Sequence, residues 1–440
     1  MRATIKFVLI GLIYGILTFV FSPSFEKMIS NPTFWNVKEQ LLYLSGSIAM
    51  AYMVITMVLS SRFAFINKYC GALDKAYVAH KWVGILAVAF SVVHWMVKES
   101  PRVFIALELA PPKVKSNAPS PLTELDKAIY GFGNSVVEIA FYAIILIVVI
   151  LLLKRLPYHI FKIIHKTIPV FFIMIAIHTA TIQIKGGWYF SVGSALLWVM
   201  IVLGLISAVL SLFFLIGKNN KINSKIIKIN RHEQQKITEI TLAVQDDGFN
   251  YNAGQYVFLK FGFHRGAHPF SIGSCNKDKN EITFHIKELG DFTKSLHSNI
   301  AINDNVIIEG PYGEFDFASS KKQIWVSGGI GLAPFLSRLE YLANYNSEKY
   351  DIYYFCCMRG ENPYKEKISL LSEKTGIKVF FTDTSKEKRI TFDDIKNKIS
   401  SVEDYDLWYC CPTKMLKNIK SAIKDNQLPI KVHFDNFEMR

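Results

Sequence analysis

At 440 residues the chain is long enough for three domains, and its two halves differ in composition. Residues 1–217 consist mainly of long apolar runs, whereas residues 218–440 have the composition of a soluble protein. The formal net charge of +14 lies dispersed beside the apolar segments, which predicts an anionic membrane surface, and no nucleic acid, as its partner. The 6 cysteines form no Cys-x-x-Cys pair and no ferredoxin spacing, which argues against an iron–sulfur cluster or a disulfide framework and favours a reducing compartment.

Six apolar segments are long enough to cross a bilayer. They cover residues 5–21, 41–60, 77–97, 136–153, 163–184 and 189–216. Lysine and arginine concentrate in the loops on one side, and the positive-inside rule places that side, with the N-terminus and residues 218–440, in the cytoplasm. The first segment lacks a small-x-small cleavage site, so we interpret it as a retained span. We therefore predict an integral protein of the cell membrane.

Two of these segments carry two histidines each, His80 with His94 and His165 with His178. The members of each pair are separated by about 20 Å of helix, which is most of the bilayer thickness. Because an imidazole inside a membrane is costly without a partner, we interpret all four as metal ligands of two haems stacked across the membrane. The alternative is that each histidine merely forms a hydrogen bond to a neighbour.

The predicted topology also pairs the ligands. The third and fifth spans run parallel, so His80 and His165 form the inner pair and His94 and His178 the outer pair. At about 100° per residue, His94 returns to within about 40° of His80, but His178 lies about 140° from His165. Either Pro169 makes the second helix irregular, or its two haems approach from different sides.

The second half shows two different rhythms. From residue 218 to 318, six short alternating strands and one helix predict a small antiparallel β-barrel. From residue 319 to 440, strands and helices alternate, which predicts a parallel, doubly wound sheet.

A glycine-rich turn at residues 327–334 follows the first strand of this sheet and opens a helix. Gly328, Gly329 and Gly331 would let the backbone approach a pyrophosphate, and the N–H groups of the helix would face its charge. The alternative is an ordinary tight turn. In the barrel, Phe270, Ser271 and Lys287 could supply an apolar wall, a hydroxyl donor and a positive charge to a flat ring and its diphosphate, unless they belong to ordinary barrel core.

These motifs occur in a recognisable order. His-Pro-Phe-Ser at 268–271, Gly-Gly-Ile-Gly-x-x-Pro at 328–334, the cysteine before Pro412 and the histidine spacings resemble the NADPH oxidase/ferric reductase superfamily over nearly the whole chain. The resemblance implies a six-helix transmembrane haem bundle (1–217), an antiparallel FAD-binding β-barrel (218–318) and a doubly wound α/β nucleotide-binding domain of the ferredoxin-reductase type (319–440). The implied cofactors are two b-type haems, FAD and NADPH or NADH.

The same resemblance implies the site residues. The haem ligands are His80, His94, His165 and His178. The FAD-binding segments contribute His268, Pro269, Phe270, Ser271, His285, Ile286, Lys287, Gly290, Phe292 and Thr293. The nicotinamide nucleotide would contact Gly328, Gly329, Ile330, Gly331, Pro334, Arg359, Cys410 and Pro412.

Some of these positions have more specific implied roles. Arg359 matches a position that can contact the adenosine 2′-phosphate, which favours NADPH. Cys410 matches a cysteine near the nicotinamide, and Phe437 an aromatic that covers the flavin; with Ser271 they form the predicted catalytic group. The alternatives are a buried strand cysteine and ordinary terminal packing. Cys411 stands where the family usually has glycine.

We therefore predict an oxidoreductase that moves electrons from cytoplasmic NAD(P)H through FAD and two haems to an acceptor outside. O2, giving superoxide, is favoured because the outer loops show no cluster of iron-binding carboxylates. A ferric chelate is the alternative acceptor. Two alternatives of another class are a haem subunit fed by quinone or a protein partner, and a non-catalytic membrane protein with a decayed reductase half. The sequence identifies no protein partner.

Overall fold

The computed structural model describes residues 2–112, 122–152, 158–213, 215–245, 249–263, 266–275, 280–346 and 348–434. The chain divides into two compact units, one formed by residues 1–216 and the other by residues 217–438.

The first unit is helical. Its helices are α1 (Arg2–Val20), α2 (Pro23–Ser30), α3 (Phe34–Ser60), α4 (Ala64–Cys70), α5 (Leu73–Ala106), α6 (Glu124–Leu152), α7 (Tyr158–His165), α8 (Ile168–Gly186) and α9 (Val192–Leu212). Among the described residues, 6 helical segments are long and apolar enough to cross a membrane: α1, α3, α5, α6, α7 with α8, and α9. The six predicted spans agree with these helices, although α3, α5 and α6 extend well beyond the predicted segments.

Helix α3 lies at the centre of this unit and packs against α1, α5 and α9, while α8 packs against α6 and α9. Small residues allow the close approach. A Cβ atom at Gly15 would lie 2.6 Å from the Cα of Ile48, and one at Gly204 would lie 2.2 Å from the ring of Phe172. In lipid, such close packing replaces the hydrophobic driving force that stabilises soluble bundles.

The fifth span is interrupted. Helix α7 ends at His165, and α8 begins at Ile168 with Pro169 in its first turn. Proline lacks a backbone N–H, so it is compatible with the start of a helix and not with its interior. Of the two possibilities that the sequence left open, the irregular helix is therefore present, and the 140° offset calculated for a continuous helix does not apply.

The second unit begins with an antiparallel six-stranded sheet in the order β4-β3-β6-β1-β2-β5. Its elements are β1 (Lys221–His232), β2 (Ile237–Val244), β3 (Tyr256–Phe261), β4 (His268–Ser271), β5 (Glu281–Lys287), α10 (Asp291–Asn299) and β6 (Asn305–Tyr312). Alternate side chains of β5, namely Ile282, Phe284 and Ile286, face the apolar core of the sheet. The predicted antiparallel barrel with one helix is confirmed.

The unit continues with a parallel sheet in the order β11-β10-β7-β8-β9. Its elements are β7 (Lys322–Gly328), α11 (Ala333–Tyr345), β8 (Asp351–Met358), α12 (Lys365–Thr375), β9 (Lys378–Asp383), α13 (Phe392–Lys396), β10 (Asp406–Cys410), α14 (Thr413–Asp425) and β11 (Val432–His433). Trp325 and Tyr354 pack with α11 and α12 on one face, whereas Val326 and Phe355 pack with α13 and α14 on the other. The doubly wound fold is confirmed.

The order of strands reverses between β7 and β10. Chain connections leave the sheet in opposite directions at this point, which opens a crevice at the carboxyl ends of the two strands. Gly328 ends β7 and Cys410 ends β10. The fold therefore brings the predicted glycine turn and the predicted cysteine together.

Candidate functional site

The histidines of the first unit come together in pairs. His80 lies on α5 and His165 at the end of α7, with their ring centres 5.8 Å apart and their planes at 43°. A metal bonded to one nitrogen of each ring at about 2 Å, with each ring centre roughly 1.1 Å beyond its nitrogen, requires ring centres about 6 Å apart. The separation suits one metal ion between the two imidazoles.

The second pair is formed by His94 of α5 and His178 of α8, which lie close enough for electrostatic interaction, as His80 and His165 do. These are the two pairs that the predicted topology brings together. Among the described residues, no group of three or more His, Cys, Asp or Glu side chains could hold a metal ion. Histidine is a common axial ligand of haem iron, so each pair of imidazoles would suit the two axial positions of one haem.

Helix α3 orients two of the four rings. The Nδ1 atom of His80 lies 2.8 Å from the carbonyl oxygen of Thr56, and that of His94 lies 3.0 Å from the carbonyl oxygen of Leu42. Because a carbonyl oxygen only accepts, each Nδ1 carries the proton, and each Nε2 keeps its lone pair. Neither Nε2 atom hydrogen-bonds within the part of the chain that the structure describes. Metal-binding histidines are typically oriented in this way.

Sequence reasoning did not identify this role of α3. The matching spacing becomes visible only from the contacts: Leu42 and Thr56 are 14 residues apart, as are His80 and His94. Two antiparallel helices with the same rise per residue keep both contacts in register. Gly46 completes the outer contact, because a Cβ there would lie 3.2 Å from Cε1 of His94.

In the barrel, the predicted flavin motif forms strand β4. His268, Pro269, Phe270 and Ser271 are all half-buried, as a groove wall would be. The His268 ring stacks on Phe292 of α10, with ring centres 3.7 Å apart and planes at 6°. This stack places the start of β4 beside the start of α10, so the segment predicted for the flavin ring and that predicted for the diphosphate are neighbours.

The start of α10 has the form of an anion site. The hydroxyl oxygen of Thr293 accepts hydrogen bonds from the backbone N–H groups of Leu289, at 2.9 Å, and Gly290, at 3.0 Å. These bonds shape the turn into the helix, whose N-terminal N–H groups attract negative charge. Lys287, half-buried at the end of β5, adds a positive charge four residues before α10 begins.

Two residues predicted to contact the flavin have buried side chains. Ile286 faces the barrel core. His285 is buried, with Nδ1 at 3.0 Å from the hydroxyl of Tyr364 and 3.3 Å from Oε2 of Glu239. Burial raises the pKa of Glu239, but hydrogen bonds from His285 and Asn230 outweigh it and hold that pKa at about 2. His285 therefore joins the barrel to Tyr364 of the α/β domain, a contact that the alternation along β5 does not indicate.

The glycine turn packs against the end of β10. Gly329 has a φ of +58°, a conformation that favours glycine. A Cβ at Gly331 would lie 2.0 Å from the carbonyl oxygen of Cys410. Helix α11 then begins at Ala333, with Pro334 in its first turn. The turn therefore exposes backbone at the start of a helix, as a dinucleotide phosphate requires.

Cys411 and Cys410 face opposite sides of the sheet. Cys410 packs with the α11 and α12 core, and Cys411 with the α13 and α14 core. The Cys411 thiol lies 3.4 Å from the carbonyl oxygen of Val326, and burial raises its pKa well above the usual value. The cysteine that departs from the family pattern is therefore turned away from the face that Cys410 occupies.

Arg359 follows β8 and is exposed. The next residue, Gly360, has a φ of +79° and donates its N–H to Oδ1 of Asp383 at 2.8 Å. Hydrogen bonds from Ser385 and from this N–H lower the pKa of Asp383, so the carboxylate fixes the turn that presents Arg359. Phe437, predicted to cover the flavin, lies outside the described residues.

Comparison with known proteins relates both units to one group. The family described as "Ferric reductase like transmembrane component" matches residues 45–176, a range that includes His80, His94 and His165. A family described as "FAD-binding domain" matches residues 221–316, which cover the barrel and α10. Both matches agree with the resemblance of the chain to the NADPH oxidase/ferric reductase superfamily. They indicate a ferric-reductase-like transmembrane component followed by an FAD-binding domain.

Individual relatives match only parts of this chain. "Ferric reduction oxidase 8, mitochondrial" of Arabidopsis thaliana is 35% identical over 128 residues, which is 26% of this chain and 17% of the relative. A superoxide-generating NADPH oxidase heavy chain of Dictyostelium discoideum is 24% identical over 285 residues, 56% of this chain and 39% of the relative. The chain thus spans well under half of either protein. A cytochrome P450 reductase of Amycolatopsis aligns with 49% of this chain and 69% of its own, at 19% identity and a TM-score of 0.44.

Proposed function

We propose that this chain carries electrons from cytoplasmic NAD(P)H across the cell membrane to O2, forming superoxide. In balanced form, NAD(P)H and two O2 give NAD(P)⁺, two superoxide ions and one proton. The observation that carries the proposal is the pair of imidazoles of His80 and His165 in the helical bundle, whose ring centres are 5.8 Å apart. The same chain contains an FAD-binding domain. The bilayer makes such intermediate centres necessary, because its hydrocarbon core is about 30 Å thick.

The division of labour follows the three predicted domains, 1–217, 218–318 and 319–440. FAD, when bound, would supply hydride acceptance from NAD(P)H, and two b-type haems would supply one-electron transfer across the membrane. His80 and His165 would hold the inner haem, and His94 and His178 the outer one. The carbonyl groups of α3 fix the rings of His80 and His94, so the ligand nitrogens are pre-oriented before iron arrives.

The residues of the second unit bind and orient the two nucleotides. His268 to Ser271 would form the wall of the flavin groove. Lys287 and the start of α10 would neutralise the FAD diphosphate, and Phe292 would support the wall through its stack on His268. Ile286 and His285 contribute by packing.

The nicotinamide nucleotide would lie across the switch point of the parallel sheet. Gly328, Gly329 and Gly331 would accept its diphosphate against the start of α11. Cys410 would stand beside the nicotinamide, and exposed Arg359 would pair with a 2′-phosphate, which favours NADPH over NADH.

A ferric chelate is the second candidate acceptor. It is favoured by the 35% identity to a protein named a ferric reduction oxidase, within the transmembrane part. Both acceptors take one electron at a time from an outer haem, so the membrane bundle serves either.

A spectroscopic titration of the purified full chain tests the proposal. The haem content should be two per chain, and NADPH with FAD under argon should produce the absorption bands of reduced b-type haem. Reduction by dithionite alone would indicate a subunit fed by a partner, and absence of haem would contradict the proposal. Admitting O2 should then reoxidise the haems with formation of superoxide, detected as cytochrome c reduction that superoxide dismutase abolishes. Reoxidation by ferric citrate under argon, with slow reoxidation by O2, would instead assign the ferric reductase activity.

A further inference from the structure

We propose that Ser45 lowers the reduction potential of the outer haem, and not that of the inner one. It does so by accepting a hydrogen bond from the ligand His94. The inference rests on the proposed function, because it assumes that His94 binds a haem. It assigns a role to a buried serine of α3 and makes the two haem sites chemically different.

The contact is built into the first unit. The hydroxyl oxygen of Ser45 lies 3.2 Å from Nδ1 of His94, which also lies 3.0 Å from the carbonyl oxygen of Leu42. Ser45 is buried, with 6% of its surface exposed. Its hydroxyl proton has a closer acceptor, the carbonyl oxygen of Leu41 at 2.7 Å. With that proton engaged, a lone pair of the hydroxyl oxygen faces the N–H of His94.

At the inner site, the N–H of His80 has one acceptor among the described residues. Nδ1 of His80 lies 2.8 Å from the carbonyl oxygen of Thr56. The hydroxyl of Thr56 is directed elsewhere, since it donates to the carbonyl oxygen of Tyr52 at 2.8 Å. Among the described residues, His80 therefore gives its N–H to one acceptor, whereas His94 shares its N–H between two.

The difference has a predictable sign. An acceptor that draws on the Nδ1 proton makes the imidazole more electron-rich at Nε2, and an electron-rich ligand stabilises ferric over ferrous iron. The second acceptor at His94 therefore lowers the potential of the outer haem. Gly46 maintains the contact, because its missing side chain allows His94 to approach α3. A lower potential makes the outer haem a stronger one-electron donor to the external acceptor.

The chain provides a matched control. Ser47 is also on α3, is 4% exposed, and donates to the carbonyl oxygen of Tyr43 at 2.7 Å, with Leu44 at 3.1 Å. Ser45 has the same geometry toward Leu41 at 2.7 Å and Leu42 at 3.1 Å. The two serines differ in that one contacts a histidine. Removing either hydroxyl therefore has the same effect on the helix itself.

The experiment is an optical redox titration of the purified full chain with its haems, in Ser45→Ala, Ser47→Ala and the unaltered protein. Haem content is measured first, and the component that disappears in His94→Ala identifies the outer haem. For Ser45→Ala we expect the reduced-to-oxidised ratio of the outer haem at a fixed potential to rise roughly threefold, or about 28 mV at 59 mV per tenfold change. The inner haem and Ser47→Ala should not shift. Ser45→Cys, whose sulfur is a weaker acceptor, should shift in the same direction by less.

The outcomes separate the two proposals. Two haems with no shift in Ser45→Ala, an equal shift of both components, or an equal shift in Ser47→Ala would overturn the role of Ser45 and leave the proposed function standing. An unaltered chain that binds no haem would overturn both. If Ser45→Ala fails to retain its outer haem, Ser45→Cys decides, and a lowered or unchanged potential in that variant overturns the inference.

Discussion

The two units prepare their candidate sites in opposite ways. In the membrane unit the candidate ligands are side chains, and the main chain of α3 holds two of them through the carbonyl groups of Leu42 and Thr56. In the second unit the candidate phosphate site is main chain: Gly329 has open space where a Cβ would stand, whereas Gly328 and Gly331 are packed against residues 410–412. Removing a side chain should therefore damage the first unit most, and adding one should damage the second.

The largest effect is expected from removing a ligand. His94→Ala should reduce the haem content from two per chain to one, because an iron with one axial imidazole lost is no longer held between α5 and α8. Flavin reduction by NADPH should stay within about twofold of the unaltered chain, because the second unit folds its own site. Haem extraction and stopped-flow absorbance measure the two quantities. Retention of both haems, or loss of flavin reduction, would contradict the separation of roles.

Adding one methyl group tests the other half of the comparison. Gly331→Ala places a Cβ 2.0 Å from the carbonyl oxygen of Cys410, so the glycine turn must move. Overpacking of this kind costs about 1–3 kcal/mol, so kcat/KM for flavin reduction should fall by about tenfold or more while FAD and haem contents stay unchanged. Gly262→Ala is the control, since a Cβ there meets nothing within 4 Å. Similar kinetics in both variants would remove the turn from the site.

The side chain of Arg359 should affect KM for NADPH and leave KM for NADH unchanged. Arg359→Ala should raise KM for NADPH by about tenfold, because a charge-assisted hydrogen bond to the 2′-phosphate is lost. KM for NADH, which lacks that phosphate, should not change. Steady-state assays with both nucleotides measure the effect. Equal changes for the two would show that Arg359 acts without reading the phosphate.

The smallest effect concerns the contact between barrel and α/β domain. Glu239→Gln should lower the melting temperature at pH 7 by roughly 2–6 °C, because its hydrogen bonds with His285 and Asn230 are weakened. The pKa of Glu239 is about 2 in the folded protein, below the ordinary 4.5. Its contribution is therefore full above pH 4.5 and is lost as the pH falls toward 2.

The difference between Glu239→Gln and the unaltered chain should shrink across that pH range in thermal scans of the full protein. Exposed Glu373→Gln provides the control and should be neutral at every pH. A difference that is constant with pH would mean that the charge of Glu239 does not stabilise the fold.

Sequence patterns identified the elements better than their contacts. Apolar run lengths located the spans, and the two rhythms of the second half predicted an antiparallel sheet followed by a parallel one, because hydrophobic period and turn residues are local signals. His285 shows the limit. Its motif position predicted a flavin contact, but its partner Tyr364 is 79 residues away in the chain, and tertiary packing sets that bond.

The role of α3 was missed for a related reason. A carbonyl group is present at every residue, so Leu42 and Thr56 carry no compositional mark of what they bind. Gly46 and Ser45 are the informative residues, and only their contact with His94 distinguishes them from other small residues of a packed helix.

The register between α3 and α5 has a consequence for the proposed electron path. The rings of His80 and His94 are tied to main-chain oxygens of one helix, 14 residues apart, so helix rise sets their separation at about 21 Å. For the two proposed haems, a separation set by the backbone would keep the transfer distance constant while the lipid-facing side chains of the bundle diverge.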